Sequence, residues 1–359
     1  MQSGVKLRLV NAKDPTDIDV AVAPTLHDVA TRLGLAVSTV SRALSGHPAI
    51  SDKTRSAVQA AAAELGYRLP TQGRGSRKSA THLVGVVVGA MHNRFMTVLL
   101  EHLHHALEGL GYQVVLLIDS MTATKDLLAF RPLIDGYLDG IIFATATIDS
   151  PLVFELQRRG IPCVLVVRSV DDANVDTVEI DNIHAGSEAV RHLFELGHRR
   201  IGLVMGPAST STSRDRVRGA MDWLQRHGVP AADVHLVQGD YTHEAGYSAG
   251  MAMLGQAQRV TAIVGGNDTI ALGVLEAARR KGIAVPSQLS VIGFDDMPLA
   301  GSPLIGLTSI RQPVEAMART AAQRLVDRMQ SHNLRPARRD ILPIELIRRD
   351  TTGPAPAQV

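Results

Sequence analysis

The chain has 359 residues with 45% hydrophobic and 20% charged side chains, which fits a folded protein of two or three domains and excludes a disordered one. Its net charge of +2 hides an asymmetry, since residues 24–80 carry eight Lys/Arg against three Asp/Glu, whereas 81–359 carry 26 against 29. One cysteine, Cys163, excludes an internal disulfide framework and fits a reducing cytoplasm, and no apolar run reaches the length of a membrane span.

Residues 1–23 lack the uninterrupted apolar core of a signal peptide and read as a disordered extension. Residues 25–44 read as two short helices joined at Gly34. Thr25 is placed to cap the first, with Asp28 three residues on, and Leu26, Val29, Ala30 and Leu33 form its apolar face. The second helix turns Val40 inward and leaves Val37, Ser38, Ser41 and Arg42 outward. Its small N-terminal side chains and one guanidinium a turn later are what a recognition helix needs to enter the DNA major groove. Ser51 is placed to cap a third helix that buries Val58, Ala61, Ala62 and Leu65 and stops at Gly66. Positive charge concentrated on this all-α headpiece (24–68) suits contact with phosphates.

Residues 69–81 are polar, basic and glycine-bearing, and read as a linker. Beyond them, apolar strands near 82–88, 114–118, 140–144, 163–167, 178–180, 201–205, 234–238, 262–264 and 290–294 alternate with helices, the last at 314–330. That alternation predicts parallel sheets covered by helices on both faces. About 260 residues of it exceed one simple sheet, so two similar α/β lobes with a cleft between them are expected over 82–345, with a flexible tail at 346–359. The Ser/Thr run 209–213 reads as a mobile loop at the cleft mouth. Past Gln330 only Pro-rich and basic residues follow, without the leucine heptads of a tetramerising coil.

Several ordered segments carry a resemblance: Thr-Val-Ser-Arg-Ala-Leu (39–44), Glu-Leu-Gly-Tyr (64–67), Glu-Leu-Gly-His-Arg-Arg-Ile-Gly (195–202), Asn-Asp-Thr-Ile-Ala-Leu-Gly (267–273) and Ser-Val-Ile-Gly-Phe-Asp-Asp (290–296). From about 24 to 330 the chain resembles the lactose-repressor/galactose-repressor (LacI/GalR) family of bacterial transcription regulators. The resemblance implies a helix-turn-helix headpiece joined to a periplasmic-binding-protein-like core. It also implies a homodimer on a near-palindromic operator, controlled by a small effector, a sugar or sugar derivative, that closes the lobes. No cofactor is expected, and the compartment is the cytoplasm, at the nucleoid when bound to DNA. By motif position Val37 and Ser38 meet base edges and Arg42 reaches a base or phosphate. Thr25, Thr39, Ser41 and, in the linker, Arg74 join the DNA-binding set, although Thr39 and Ser41 could equally be plain helix-surface hydroxyls.

For the effector the resemblance points to Arg216, Asn267, Asp295 and Tyr241, with Phe95 and Gln312 completing the lining. Arg216 has the fork for hydroxyls or carboxylates, Tyr241 a face for a sugar ring, and Asn267 and Asp268 double as helix caps. Three departures stand out. Ala36 replaces a capping serine before the recognition helix. Gly73 and Gly75 disfavour a hinge helix by about 1 kcal/mol each relative to alanine, and no leucine lies between Leu69 and Leu83, so the hinge is expected to bind through Arg74, Arg77 and Lys78 with less intercalation. Arg168 stands where many sugar-responsive members carry aspartate, which implies an effector with a phosphate or carboxylate, or else an outward salt bridge. An enzyme is the first rival reading, but no phosphate loop, nucleophile elbow or zinc motif occurs, and Glu101, His102 and His105 read as a solvated helix face. An uptake binding protein would carry a secretion signal in place of the headpiece.

Overall fold

The computed structural model describes residues 25–44, 46–65, 80–89, 91, 93–119, 131–331 and 335–357. They belong to two compact units, one within Met1–Lys78 and the other within Ser79–Val359. In the first, α1 (Leu26–Leu33), α2 (Val37–Leu44) and α3 (Asp52–Leu65) enclose Val29, Ala30, Val40, Ala43, Val58, Ala61 and Ala62. Thr25 and Asp28 form a reciprocal capping box at the start of α1, and Gly34 ends it at φ 63°, a left-handed conformation that glycine adopts without penalty. Ser51 Oγ accepts from Thr54 N at 3.2 Å and so caps α3. At Ala36 the backbone carbonyl alone receives Thr39 N and Val40 N, at 2.9 and 3.1 Å.

The second unit holds two six-stranded sheets. Its first lobe runs through β1 (Leu83–Val88), α4 (Arg94–Gly109), β2 (Gln113–Ile118), α5 (Arg131–Gly136), β3 (Gly140–Phe143), α6 (Pro151–Arg158), β4 (Cys163–Val166) and β5 (Asp176–Ile180). Its second lobe continues with α7 (Asn182–Glu195), β6 (Ile201–Met205), α8 (Ser211–Arg226), β7 (Val234–Gln238), α9 (His243–Met253), β8 (Ala262–Gly265), α10 (Asp268–Arg280), β9 (Ser290–Asp295) and β10 (Thr308–Arg311). The chain then returns through α11 (Val314–Gln330), which packs on α4, to β11 (Arg339–Leu342) and crosses again to β12 (Glu345–Ile347). Strand order is β11-β5-β4-β3-β1-β2 in one sheet and β12-β10-β9-β8-β6-β7 in the other, parallel except for the antiparallel β10–β12 pair. The two lobes thus share one winding. Both reverse strand order between their first and third strands, where the carboxyl ends of open parallel sheets leave a crevice.

Near-continuous apolar strands explain this layering: β1, β3, β4, β6, β8 and β9 are buried along almost their whole length, as strands covered on both faces must be. Helices α7 and α8 approach to backbone contact through Gly186 and Gly219. A Cβ on Gly186 would collide with the Arg216 carbonyl, and one on Gly219 with that of Ile183. Among the described residues no helix is long and apolar enough to cross a membrane.

Two expectations are corrected. The segment from 346 is no flexible tail through 357: Thr351 Oγ1 donates to Val291 O at 2.7 Å, Gly353 N to Ser290 Oγ at 3.0 Å, and Ala355 N to Leu196 O at 2.8 Å. The core therefore continues well past residue 345. The run 209–213 is no mobile loop either, because Thr210, Ser211, Thr212 and Ser213 are buried at the first turn of α8, where Thr210 is the cap.

Candidate functional site

On α2, Val40 and Ala43 face the headpiece core, while Val37 (39% exposed), Ser38 and Arg42 stand out from it. Thr39 and Ser41 are half-buried beside them. Thr25 is exposed, and its hydroxyl donates to Asp28 Oδ2 at 2.7 Å, so its visible task is capping. Arg74, with Gly73, Gly75, Arg77 and Lys78, lies outside the described residues.

In the second unit, all seven effector positions expected from the sequence border one cleft between the lobes, whose unfilled space of about 290 Å³ includes open solvent. Phe95, at the start of α4, and Arg168, just past β4, come from the first lobe. Arg216 in α8, Tyr241 after β7, Asn267 after β8, Asp295 at the end of β9 and Gln312 after β10 come from the second. These all lie at or just beyond strand carboxyl ends or at helix starts, which is why positions so distant in sequence converge.

Arg216 is 2% exposed, and its guanidinium donates from Nε to Asn182 Oδ1 at 3.0 Å and from Nη1 to Gly266 O at 2.6 Å. It also lies over the Phe294 ring, 4.3 Å from the centroid. Asp295 faces it and accepts from Gln312 Nε2 at 2.6 Å. Burial raises the Asp295 carboxyl to about 7, against the pull of Arg216 and the Gln312 bond. Asp268 does not line the cleft. Behind Asp295 it accepts from Ser309 Oγ at 2.6 Å and Met297 N at 2.7 Å, and burial with the Asp295 charge raises its pKa.

Asn267 caps α10 by accepting from Ile270 N at 2.8 Å, which leaves its buried Nδ2 without a partner. Gln312 Oε1 is likewise buried without one. The residues lining the cleft thus carry one unmatched donor and one unmatched acceptor, each of a kind that a ligand hydroxyl can satisfy.

Tyr241 lies flat against Gly206, where any Cβ would run into Cζ, Cε1 and Cε2 of the ring, and its hydroxyl meets Thr212 Oγ1 at 2.9 Å. Arg168 faces that ring at 5.7 Å and donates to Thr145 O at 3.1 Å. It is only 5% exposed and borders the cleft, so it is not an outward-facing surface side chain. Burial lowers its pKa, opposed by Tyr241 and Asp119 and assisted by Arg216. Val167, the residue before it, has φ 73°, an outlying conformation for a β-branched residue.

Asn93, Met96, Val167 and Thr212 also line the cleft, and Asn182 braces Arg216 from behind. Of these only Thr212 lies in a run, 209–213, that the sequence placed near the cleft. Asn93, Val167 and Asn182 each follow a strand closely, so a search of strand carboxyl ends finds them. On one flank the lobes touch directly: Ile148 N donates to Ser209 O at 2.8 Å, Ser169 N to Ser211 Oγ at 2.9 Å, and Arg214 pairs with Asp171 at 2.5 Å.

Comparison with known proteins agrees with this layout. Residues 25–69 match the bacterial regulatory proteins of the lacI family, and residues 190–352 match the periplasmic binding protein-like domain. The HTH-type transcriptional repressor CytR of Escherichia coli K12 is 32% identical over 335 residues, 93% of this chain and 98% of that one. A transcriptional regulator CelR–cellobiose complex superposes with a TM-score of 0.70 at 31% identity, covering 91% of this chain and 99% of that one. A lac repressor dimer bound to operator and the anti-inducer ONPF gives 0.67 at 27% identity, covering 92% and 100%.

Proposed function

The chain belongs to the lacI family of bacterial regulatory proteins, and on that premise we propose how this DNA-binding transcriptional regulator works: it represses, and an uncharged sugar held between its core lobes sets its affinity for operator DNA. Residues 24–68 are the DNA-binding part, 69–81 the linker, and the core runs from 82 through the packed segment ending at 357. Val37, Ser38 and Arg42 read bases. Thr25, Thr39, Ser41 and Arg74 contact backbone phosphates or support those that do.

The single observation that carries the effector reading is the buried, unmatched pair of Asn267 Nδ2 and Gln312 Oε1 in a cleft that also holds an aromatic face, Tyr241. Buried polar atoms without partners cost roughly 1–3 kcal/mol each, and a ligand hydroxyl removes that cost on binding. The charges favour an uncharged ligand: Asp295 faces Arg216, and the carboxylate of Asp119 acts on Arg168. The phosphate- or carboxylate-bearing effector that Arg168 implied by itself is therefore the weaker reading. Of the related structures, one holds cellobiose, which is the same class.

One headpiece covers a half-site, so a homodimer, as in the lac repressor complex, supplies the second headpiece and a palindromic readout. Closure of the lobes on the effector is the two-state event that both ligands bias, and operator affinity changes with it. The protein works in the cytoplasm, at the nucleoid when operator-bound.

A thermal-shift panel of neutral mono- and disaccharides beside sugar phosphates and sugar acids tests the class of effector. A saturable rise in melting temperature with a neutral sugar, absent in Arg216→Ala, supports the proposal. Protection by sugar phosphates alone refutes it.

A further inference from the structure

We propose that Asp119 is a specificity-determining residue of the cleft: its carboxylate, set behind the Arg168 guanidinium, makes the cleft select uncharged ligands over anionic ones. The inference rests on the reading of the cleft as an effector site and deepens it.

A guanidinium is the side chain best shaped for phosphate and carboxylate, and a buried one acts through little water. Taken alone, Arg168 would make this an anion site. The parallel winding prevents that. Strands β2, β3 and β4 each end at the same rim of the first sheet and deliver Asp119, Thr145 and Arg168 respectively.

The Thr145 hydroxyl donates to Asp119 Oδ2 at 3.1 Å, while the Thr145 carbonyl accepts from Arg168 Nη1 at 3.1 Å. Thr145 thus fixes the acid and the base in one chain of bonds. Both Asp119 and Thr145 are buried, at 7% and 2% exposure, so the negative charge is weakly screened. Asp119 does not border the cleft, so its charge acts on a ligand from outside the lining, next to Arg168. The other groups facing Arg168 are Tyr241, across the cleft, and Arg216.

Arg216 is already engaged through Nε by Asn182 and through Nη1 by Gly266, and the nearby Asp295 carboxyl acts against an anion there. An anionic ligand would meet Asp295 beside Arg216 in the cleft lining and the Asp119 carboxylate acting on Arg168. A hydroxyl ligand meets the unmatched amide groups of Asn267 and Gln312 instead.

The test uses the full-length protein, with inorganic phosphate and glucose 6-phosphate as probes followed by thermal melts and calorimetric titration. Asp119→Asn keeps an acceptor for the Thr145 hydroxyl and removes only the charge. It is expected to bind phosphate at least about tenfold more tightly than the unaltered protein, and the gain is expected to vanish in Asp119→Asn/Arg168→Gln. Equal phosphate binding by the unaltered protein and Asp119→Asn overturns the proposal, as does a gain that survives in the double variant.

Stability gives a second readout that does not depend on the single variant folding well. Arg168→Gln removes the guanidinium charge that acts on buried Asp119, so adding Asp119→Asn should raise the melting temperature again. A double variant no more stable than Arg168→Gln alone also overturns the proposal. Neutral sugars tested on the unaltered protein report separately on the effector reading. If none of them binds while Asp119→Asn gains phosphate, the effector reading falls and the charge assignment stands.

Discussion

Replacing Gly206 by alanine is a one-carbon test of the cleft. The Tyr241 ring rests on Gly206, so a Cβ there forces the ring off its seat. The displaced ring loses its hydroxyl contact to Thr212 at 2.9 Å and its place under the Arg168 guanidinium at 5.7 Å. A hydrogen bond contributes about 1 kcal/mol, and a cation over a ring about 0.5–2 kcal/mol when sheltered from water. Together they hold the ring in its seat by about 2 kcal/mol, and a sugar that needs the ring preorganised there should bind roughly 30-fold more weakly without it. Tyr241→Phe keeps the ring and loses only the first contribution, so its loss should be about fivefold. Isothermal titration with the sugar found in the thermal panel gives both numbers, and operator binding without sugar serves as the control that should not move. Sugar affinity in Gly206→Ala within about threefold of the unaltered protein, or a larger loss in Tyr241→Phe than in Gly206→Ala, would refute the reasoning.

Three further outcomes are expected. The Asp295 carboxyl, raised by burial to about 7, holds its proton in the folded state above the pH at which the unfolded chain releases it, so its contribution to stability falls as pH rises from about 4 to about 7. Asp295→Asn should therefore gain in melting temperature relative to the unaltered protein between pH 5 and pH 8, and a difference constant across that range would contradict the assignment. Ser211→Ala removes the acceptor for Ser169 N across the lobe boundary and should weaken sugar binding about fivefold by favouring the open form, as read by calorimetry, although Ser211 does not border the cleft. Arg42→Ala should cost about 1–3 kcal/mol of operator binding and relax preference at one base pair, measured by competition among single-position operator variants. A uniform loss at every position would instead make Arg42 a phosphate contact.

Local pattern carried most of the fold. Apolar runs bounded by glycine and caps located the headpiece helices and the principal strands, and the α11 boundaries, Val314–Gln330, match the expectation. The seven cleft positions were expected because the resemblance placed them, and only Asn267 and Asp295 lie inside the segments that carry it. What escaped has no local signature. Asp119, Thr145 and Arg168 come together only through the lateral order of four strands, β4-β3-β1-β2, which no spacing in the chain records. The closing segment 346–357 is held by hydroxyl and backbone bonds to Ser290, Val291 and Leu196, so its composition resembles that of a free tail. The run 209–213 looked like a loop for a related reason. Its hydroxyls are consumed inside the fold, Thr210 capping α8 and Ser213 donating to Gly206 O at 2.7 Å.

The central claim is that occupancy of the cleft sets operator affinity, and fluorescence anisotropy of a labelled operator duplex tests it most directly. Titrated with the full-length protein at fixed salt, the duplex should show an apparent Kd that changes by about 5–150-fold on saturation with the neutral sugar, the span of a 1–3 kcal/mol coupling. The same titration with Arg216→Ala should show no change. An operator affinity indifferent to every ligand that binds the cleft, in the unaltered protein, would contradict the account.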